Sequence, residues 1–283
     1  MALQSKSVSV KSPGPSKLAA YIKRFLHYLP VILTHDVTLF VMSITFFFSA
    51  WELLASFGLM RIPRITSVFK YLWVLMFDPL AGRTLIGHIA ASLNRVVWGF
   101  LIAVIVGIPL GLAMAMNRYV DKIVGPIFNL FKPMPPIAWI SISILWFGIG
   151  ETSKIFVILT GTLIPCIINA YNGVRLVDPQ LYDVVRMLGG NKRDEIFLVQ
   201  IPGSLPSIFA GVQLALSMAW TCVVAAELIA ARTGMGFIII MGMNLTRPEM
   251  IFGGIVVIGF VGWLLAAVLN LMERWLCPWK REI

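Results

Sequence analysis

Residues 178–206 read DPQLYDVVRMLGGNKRDEIFLVQIPGSLP. Asp178 followed by Pro179 starts a helix: an acidic cap, then a proline at the first helical position, where its missing N–H is not needed. Leu181, Val184, Val185 and Leu188 recur at helical spacing and give that helix one apolar face. Gly189, Gly190 and Asn191 stop it, because these residues tolerate left-handed backbone. A second short helix, about Lys192 to Gln200, is expected to run up to Pro202. The first helix is too short to cross a membrane and too apolar on one face to be left in water. It packs either on the protein's own surface or into a groove of another chain.

The flanks of this loop are of membrane length. Ile155–Val174 precedes it and Ile196–Ala226 follows, both without a charge. Four more runs share that character: Val37–Met60, interrupted only by Glu52, then Val96–Met116, Pro133–Gly150 and Met250–Met272. Six spans result. All are expected to be helical, since a backbone in lipid must satisfy its own hydrogen bonds. Composition agrees. Of 283 residues, 59% are hydrophobic and 13% charged, against about 25% charged in a soluble domain. That excludes an ordinary soluble enzyme, a disordered chain and a disulfide scaffold. Unbroken apolar runs exclude an outer-membrane barrel, whose strands alternate. Cys166, Cys222 and Cys277 are odd in number and widely spaced, so they read as small buried hydrophobes without zinc-site spacing.

The net charge of +10 is explained by basic loops on one side of a membrane rather than by nucleic acid. With the N-terminus inside, fifteen Lys and Arg residues fall on the cytoplasmic side and seven outside, Arg95 lying within a span. Both termini are therefore expected to be cytoplasmic, although four basic residues between the first two spans oppose the rule. Residues 1–35 read as a cytoplasmic tail, ending in an amphipathic stretch near Leu18 to Leu29. They lack the apolar core and cleavage site of a removed signal. Residues 36–84 hold the first span and a periplasmic surface segment, in which Ile65 to Phe77 lies along the outer surface. Residues 85–276 form the transmembrane core, with the loop at 175–205, and residues 277–283 a cytoplasmic C-terminus.

Several residues inside the spans stand out. Gly99, Gly107 and Gly111 fall on one face of the second span and read as close helix packing, with a kink at Pro109. Pro133, Pro135 and Pro136 cannot lie deep in a regular helix. They read as a broken start to the third span, or as a hinge near a cytoplasmic gate, with Trp139 beside them. Arg95 and Glu227 are the charges nearest the apolar interior, both toward the outer half. They suit an ion pair, an outer gate or the passage of an anion. Ser217, Trp220 and Thr221 make the fifth span polar at mid-length and place that face on a translocation cavity.

With these residues in view, the chain resembles the permease subunits of ABC importers. Those carry a cytoplasmic "EAA" loop: Glu-Ala-Ala, three residues, Gly, nine residues, an Ile, one residue, then Leu-Pro. Here Gly189 is followed by nine residues and then Val199, Gln200, Ile201 and Pro202, while Asp183, Val184 and Val185 occupy the Glu-Ala-Ala slot. HIAASLNRVVWGFLIAVIVGIPLGLAM from His88, KPMPPIAWISISILWFGIGETSKIF from Lys132 and VVAAELIAARTGMGF from Val223 resemble the nitrate, taurine and sulfonate branch. The terminal CPWKRE from Cys277 is most similar to taurine-type members. The resemblance covers roughly Leu85 to Lys280.

It implies an all-α polytopic protein of the type I importer fold in a bacterial inner membrane. It also implies a second copy of the chain, two ATPase subunits that hold ATP and Mg, and a periplasmic or lipoprotein substrate-binding protein. Asp183, Val184, Val185, Arg186, Gly189, Asn191 and Pro202 would couple to the ATPase. Arg95, Pro136, Trp139, Ser217, Trp220, Thr221 and Glu227 would serve the pathway or a gate. The implied substrate is a small organic anion such as taurine or another sulfonate, with nitrate, bicarbonate, an aromatic carboxylate or a vitamin precursor as alternatives. The chain has no G-x-x-x-x-G-K-[ST] loop, so no catalytic residue, cofactor or metal is expected in it. An autonomous secondary transporter would need ion-coupling carboxylates or an inverted repeat, and an intramembrane enzyme a nucleophile–base or metal set. Neither is evident in the sequence.

Overall fold

The computed structural model describes residues 36–58 and 62–276. The expected tail at 1–35, its amphipathic stretch and the C-terminal segment at 277–283 lie outside the described residues. The chain divides into two units, residues 1–65 and 66–283.

In the first unit, α1 (Asp36–Ser56) is apolar along its length, with Phe40, Phe46 and Phe47 exposed as lipid-facing residues would be. Its last turns are met by Pro63 and Ile65. Trp51 Nε1 donates to the Pro63 carbonyl at 3.1 Å, and the Ile65 N–H donates to Glu52 Oε2 at 3.0 Å. Glu52, the one charge in the expected first span, thus satisfies the Ile65 N–H within the same unit.

The second unit is all helical. It contains α2 (Ile65–Phe77), α3 (Leu85–Met116), α4 (Arg118–Phe131) and α5 (Trp139–Phe147), the last entered through a 3₁₀ turn at Pro136–Ala138. Then come α6 (Glu151–Arg175), α7 (Pro179–Met187), α8 (Lys192–Ala230), α9 (Met235–Asn244) and α10 (Pro248–Leu276). α6 is central, packed between α3 and α8. The α3 glycines make that approach possible. A methyl group on Gly99 would sit 2.6 Å from Ile158 Cγ2, one on Gly107 2.9 Å from Cys166 Cβ, and one on Gly111 2.5 Å from the Ile167 carbonyl oxygen. Small residues on one face let two backbones meet, as the spacing predicts. Pro109 lies inside a helix that continues to Met116.

The spans depart from their expected limits in three places. The third is not one helix over Pro133–Gly150. It is a bent pair, α4 and the Pro136–Phe147 segment, meeting at 77°. The charges of α4 hide it from a search for uncharged runs. The proline break is also not at the mouth of the span. A methyl group on Gly161 would meet Pro136 Cγ at 3.1 Å and Cys222 Sγ at 2.5 Å. Gly161 is ten residues into α6, about 15 Å along it.

Second, the helix expected to end at Pro202 runs on to Ala230 as one 39-residue element. Pro202 has no N–H to donate four residues back. The chain absorbs this through a π-helical segment, Glu195–Gln200, in which the Ile201 N–H reaches the Ile196 carbonyl. Third, α9 was not anticipated, since ten apolar residues are too few to register as a span.

Candidate functional site

Two constellations and one cavity collect most of the site residues singled out above, but not Pro136 and Trp139. The first is the loop helix α7. Asp178 Oδ1 accepts the Gln180 N–H at 2.9 Å and caps it. Gly189, at φ +81°, turns the chain out of it, and the Gly190 N–H returns to the Val185 carbonyl at 2.9 Å. Asn191 then starts α8 with a reciprocal cap. Its Oδ1 accepts the Arg193 N–H at 2.8 Å, while Asp194 Oδ2 accepts the Asn191 N–H at 2.8 Å. Arg186 Nε donates to Glu195 Oε1 at 2.8 Å, and Nη1 lies 3.6 Å from Asp183 Oδ1. These carboxylates, Glu195 above all, hold the Arg186 guanidinium above its ordinary pKa. The polar pair Asp183 and Arg186 therefore braces the loop from within. The apolar side chains stand outward: Leu181, Val184, Met187 and Leu188 are all exposed, Met187 to 87%. Val185 is half-buried instead, turned against Gly190. Pro202 belongs to α8 rather than to the loop's surface.

The second constellation is a charge cluster where α3, α6 and α8 meet the α8–α9 turn. Arg95, 1% exposed, engages all five of its N–H donors. Nε and Nη2 hold Glu151 side-on at 2.5 and 2.8 Å, Nη1 holds Glu227 Oε1 at 2.5 Å, and Nη1 and Nη2 hold the Thr233 carbonyl and Oγ1 at 2.8 and 2.9 Å. Glu227 is fully buried and also accepts from Ser92 Oγ at 2.8 Å and the Gly236 N–H at 2.9 Å. Ser92 Oγ in turn accepts the Met235 N–H at 2.9 Å. His88 Nδ1 accepts the Gly234 N–H at 3.1 Å, which leaves Nε2–H to donate to the Leu80 carbonyl at 3.0 Å. A methyl group on Gly234 would fall on the Glu227 carboxylate. Lys154 Nζ completes the cluster, 3.3 Å from Glu151 Oε1. Two cations thus face two carboxylates. Glu151 alone among the four is open, with a side chain 58% exposed.

The structure joins Arg95 to Glu227. Glu151, Lys154, Ser92, His88 and the Gly234–Gly236 turn were missed from sequence. The one available signal was Glu151 beginning a long apolar run.

A cavity of about 600 Å³ lies between α8 and α10, lined in part by Gln213, Ser217, Trp220, Gly262 and Asn270. Gln213 Nε2 donates to Asn270 Oδ1 at 2.9 Å and Glu273 Oε2 at 2.6 Å. Ser217 and Thr221 are exposed on the α8 face and donate to carbonyls one turn back. Trp220 differs: it is buried, and its Nε1 donates to the Ile258 carbonyl at 3.0 Å. Pro136 and Trp139 sit apart from both constellations. Pro136 faces Gly161, and Trp139 packs between Phe131 and Phe156. Among the described residues, no group of three or more His, Cys, Asp or Glu side chains suits a metal ion.

The chain is similar to known proteins over most of its length. The family model for binding-protein-dependent transport system inner membrane components matches residues 107–282. A putative ABC transporter permease of Methanocaldococcus jannaschii is 36% identical over 82% of this chain and 88% of its own length. The taurine transport system permease protein of Escherichia coli is 34% identical over 89% and 93%. The nitrate import permease protein of Leptolyngbya laminosa is 33% identical over 81% and 83%. In structure, a chain of the MetNI methionine ABC transporter, solved in inward-facing conformations, superposes with a TM-score of 0.60 at 16% identity. That match covers 68% of this chain and 95% of the other, a likeness of fold. The chain belongs to the binding-protein-dependent transport system inner membrane components, and is the multi-pass inner-membrane permease subunit of an ABC importer, a transport subunit rather than an enzyme.

Proposed function

We propose that α7 is the coupling element of this importer and that the pathway it drives carries a small oxyanion. A nine-residue helix, capped at both ends and braced by Arg186 to Glu195, presents Leu181, Val184, Met187 and Leu188 outward. That observation carries the reading. A capped helix with an apolar face exposed among the described residues, set between two spans, suits a groove on a separate ATPase, where ATP and Mg would be held. The functional unit is two copies of this chain, two ATPase subunits and a substrate-binding protein outside. Both termini and the α7 loop lie on the cytoplasmic side, in keeping with the excess of basic residues there.

ATP closes the ATPase pair and draws the two α7 helices together. α6 and α8, joined directly to α7, rock with them and exchange an inward-open pathway for an outward-open one. ATP can drive this only through its differential binding to the two states. Within the pathway, Ser217 and Thr221 line the polar α8 face, and the Pro136 break beside Gly161 is the hinge. Arg95 and Glu227 hold the outer end of the bundle. Taurine or another sulfonate is the leading substrate, on the similarity to the taurine permease. The nitrate relative, at nearly equal identity, supports the wider class of oxyanions. Co-purification of a P-loop ATPase that is lost with Met187→Asp tests the coupling reading. Retention of the ATPase by that variant would refute it.

A further inference from the structure

We propose that Glu151 is an internal stand-in for the transported anion, and that Arg95 and Lys154 form an oxyanion site which the substrate takes by displacing it. The inference rests on the importer reading above and gives its pathway a binding site. Three observations carry it.

First, Glu151 is held as a ligand would be. Its two oxygens meet Nε and Nη2 of Arg95 side-on, and one also meets Lys154 Nζ. A side-on guanidinium fork fits two oxygens on one atom. Sulfonates, nitrate and bicarbonate share that feature with a carboxylate, and halides lack it.

Second, the cations are buried while the carboxylate is open to the outside. The Arg95 and Lys154 side chains are 1% and 6% exposed, against 58% for Glu151. Arg95 is anchored independently by Glu227 and by both oxygens of Thr233, so it keeps its aim when Glu151 leaves.

Third, there is room outside. A cavity of about 420 Å³ is lined by Glu151, Lys154, Thr233, Gly150 and Arg232. It holds space for an incoming anion, and Arg232 lines it as a further cation. Glu151 is also the first residue of α6, where a helix start favours negative charge.

With the carboxylate in place the cluster is neutral. With it swung out, Arg95 and Lys154 against Glu227 carry one excess positive charge, which an anion balances. Occupancy by substrate and by Glu151 are mutually exclusive, so the empty site is never left with a bare buried cation.

The test uses the intact permease–ATPase complex in lipid-free detergent. Methanesulfonate is exchanged for chloride at constant ionic strength and thermal stability is followed. Removing the competing charge with Glu151→Gln should lower the midpoint of the methanesulfonate-dependent stabilisation about tenfold, and Lys154→Gln should raise it by a similar factor. Arg118→Gln, on α4, should match wild type. An unchanged midpoint in Glu151→Gln, or equal stabilisation by chloride, would overturn the proposal. So would stabilisation by phosphatidylglycerol alone, which would assign the site to a lipid headgroup. ATPase retention in the same samples separates the two levels. With the ATPase retained and no shift, the anion site alone fails. With the ATPase lost from wild type, the coupling reading fails.

Discussion

Arg95 has no donor to spare. Each of its five N–H groups has a partner, and all five reach just three residues, Glu151, Glu227 and Thr233, each more than 50 positions away in sequence. Lysine, with three donors on a flexible stem, cannot reproduce the fork. Arg95→Ala leaves Glu227 buried without its cation, a change that typically costs about 3–5 kcal/mol. The expected outcome is a lower unfolding temperature in detergent, with Arg95→Lys only partly restoring it. Gly234→Ala should behave similarly at the other end of the pair. At φ +120° the backbone disfavours any side chain, and the added methyl meets the carboxylate of Glu227. Glu227→Gln beside Gly234→Ala would show a less-than-additive loss if both act through one contact. Thermal denaturation of the two single variants and the double variant checks this.

At the scale of elements, the proposed function gives two devices a part in movement, and each has its own variant. Gly189 sits at φ +81° with open space around the position of a side chain. Gly189→Trp strains the turn through its positive φ, where L side chains are disfavoured. The chain should still reach the membrane, while ATPase binding or ATP-driven transport is lost. Normal transport by Gly189→Trp would contradict the role given to α7. The second device is the Pro136 break, which rests on Gly161 where Cys222 also approaches. Gly161→Leu should wedge α5 away from α6 and abolish uptake in proteoliposomes while leaving membrane insertion intact.

These elements were not equally legible in the sequence. The ends of α7 could be read because capping is local: Asp178 and Pro179 at one end and Gly189 at the other act within a turn. The α3 glycines could be read because their spacing repeats along one helix. The bent pair could not, since Arg118, Asp121 and Lys122 interrupt the apolar run that would have announced α4. Nor could the continuation through Pro202, because a π-helical adjustment depends on how the whole helix is held. The charge cluster was half legible. An ionisable group in a span signals that a partner exists, which pointed to Arg95 and Glu227. It does not say where the partner comes from. Glu151 and Ser92 are brought in by the packing of α3, α6 and α8, and no pattern along the chain encodes that meeting.

For the whole molecule, one asymmetry organises the account. One end of the helical unit is tied by buried charge: α3, α6 and α8 meet at Arg95, and the turn to α9 is locked by His88, Ser92 and Glu227. The other end carries α7, whose Leu181, Val184, Met187 and Leu188 stand exposed among the described residues. Under the proposed function, a bundle pinned at one end and gripped at the other would turn a small displacement of the grip into an opening or closing of the space between two copies. The measurement that tests this most directly is a mild-detergent purification of the tagged chain from its native membranes, with mass determination of the intact complex. The account predicts two copies of this chain with two P-loop ATPase subunits, and loss of the ATPase alone when Met187 is changed to Asp. Recovery of the chain without an ATPase would contradict it and make an autonomous transporter the reading to pursue.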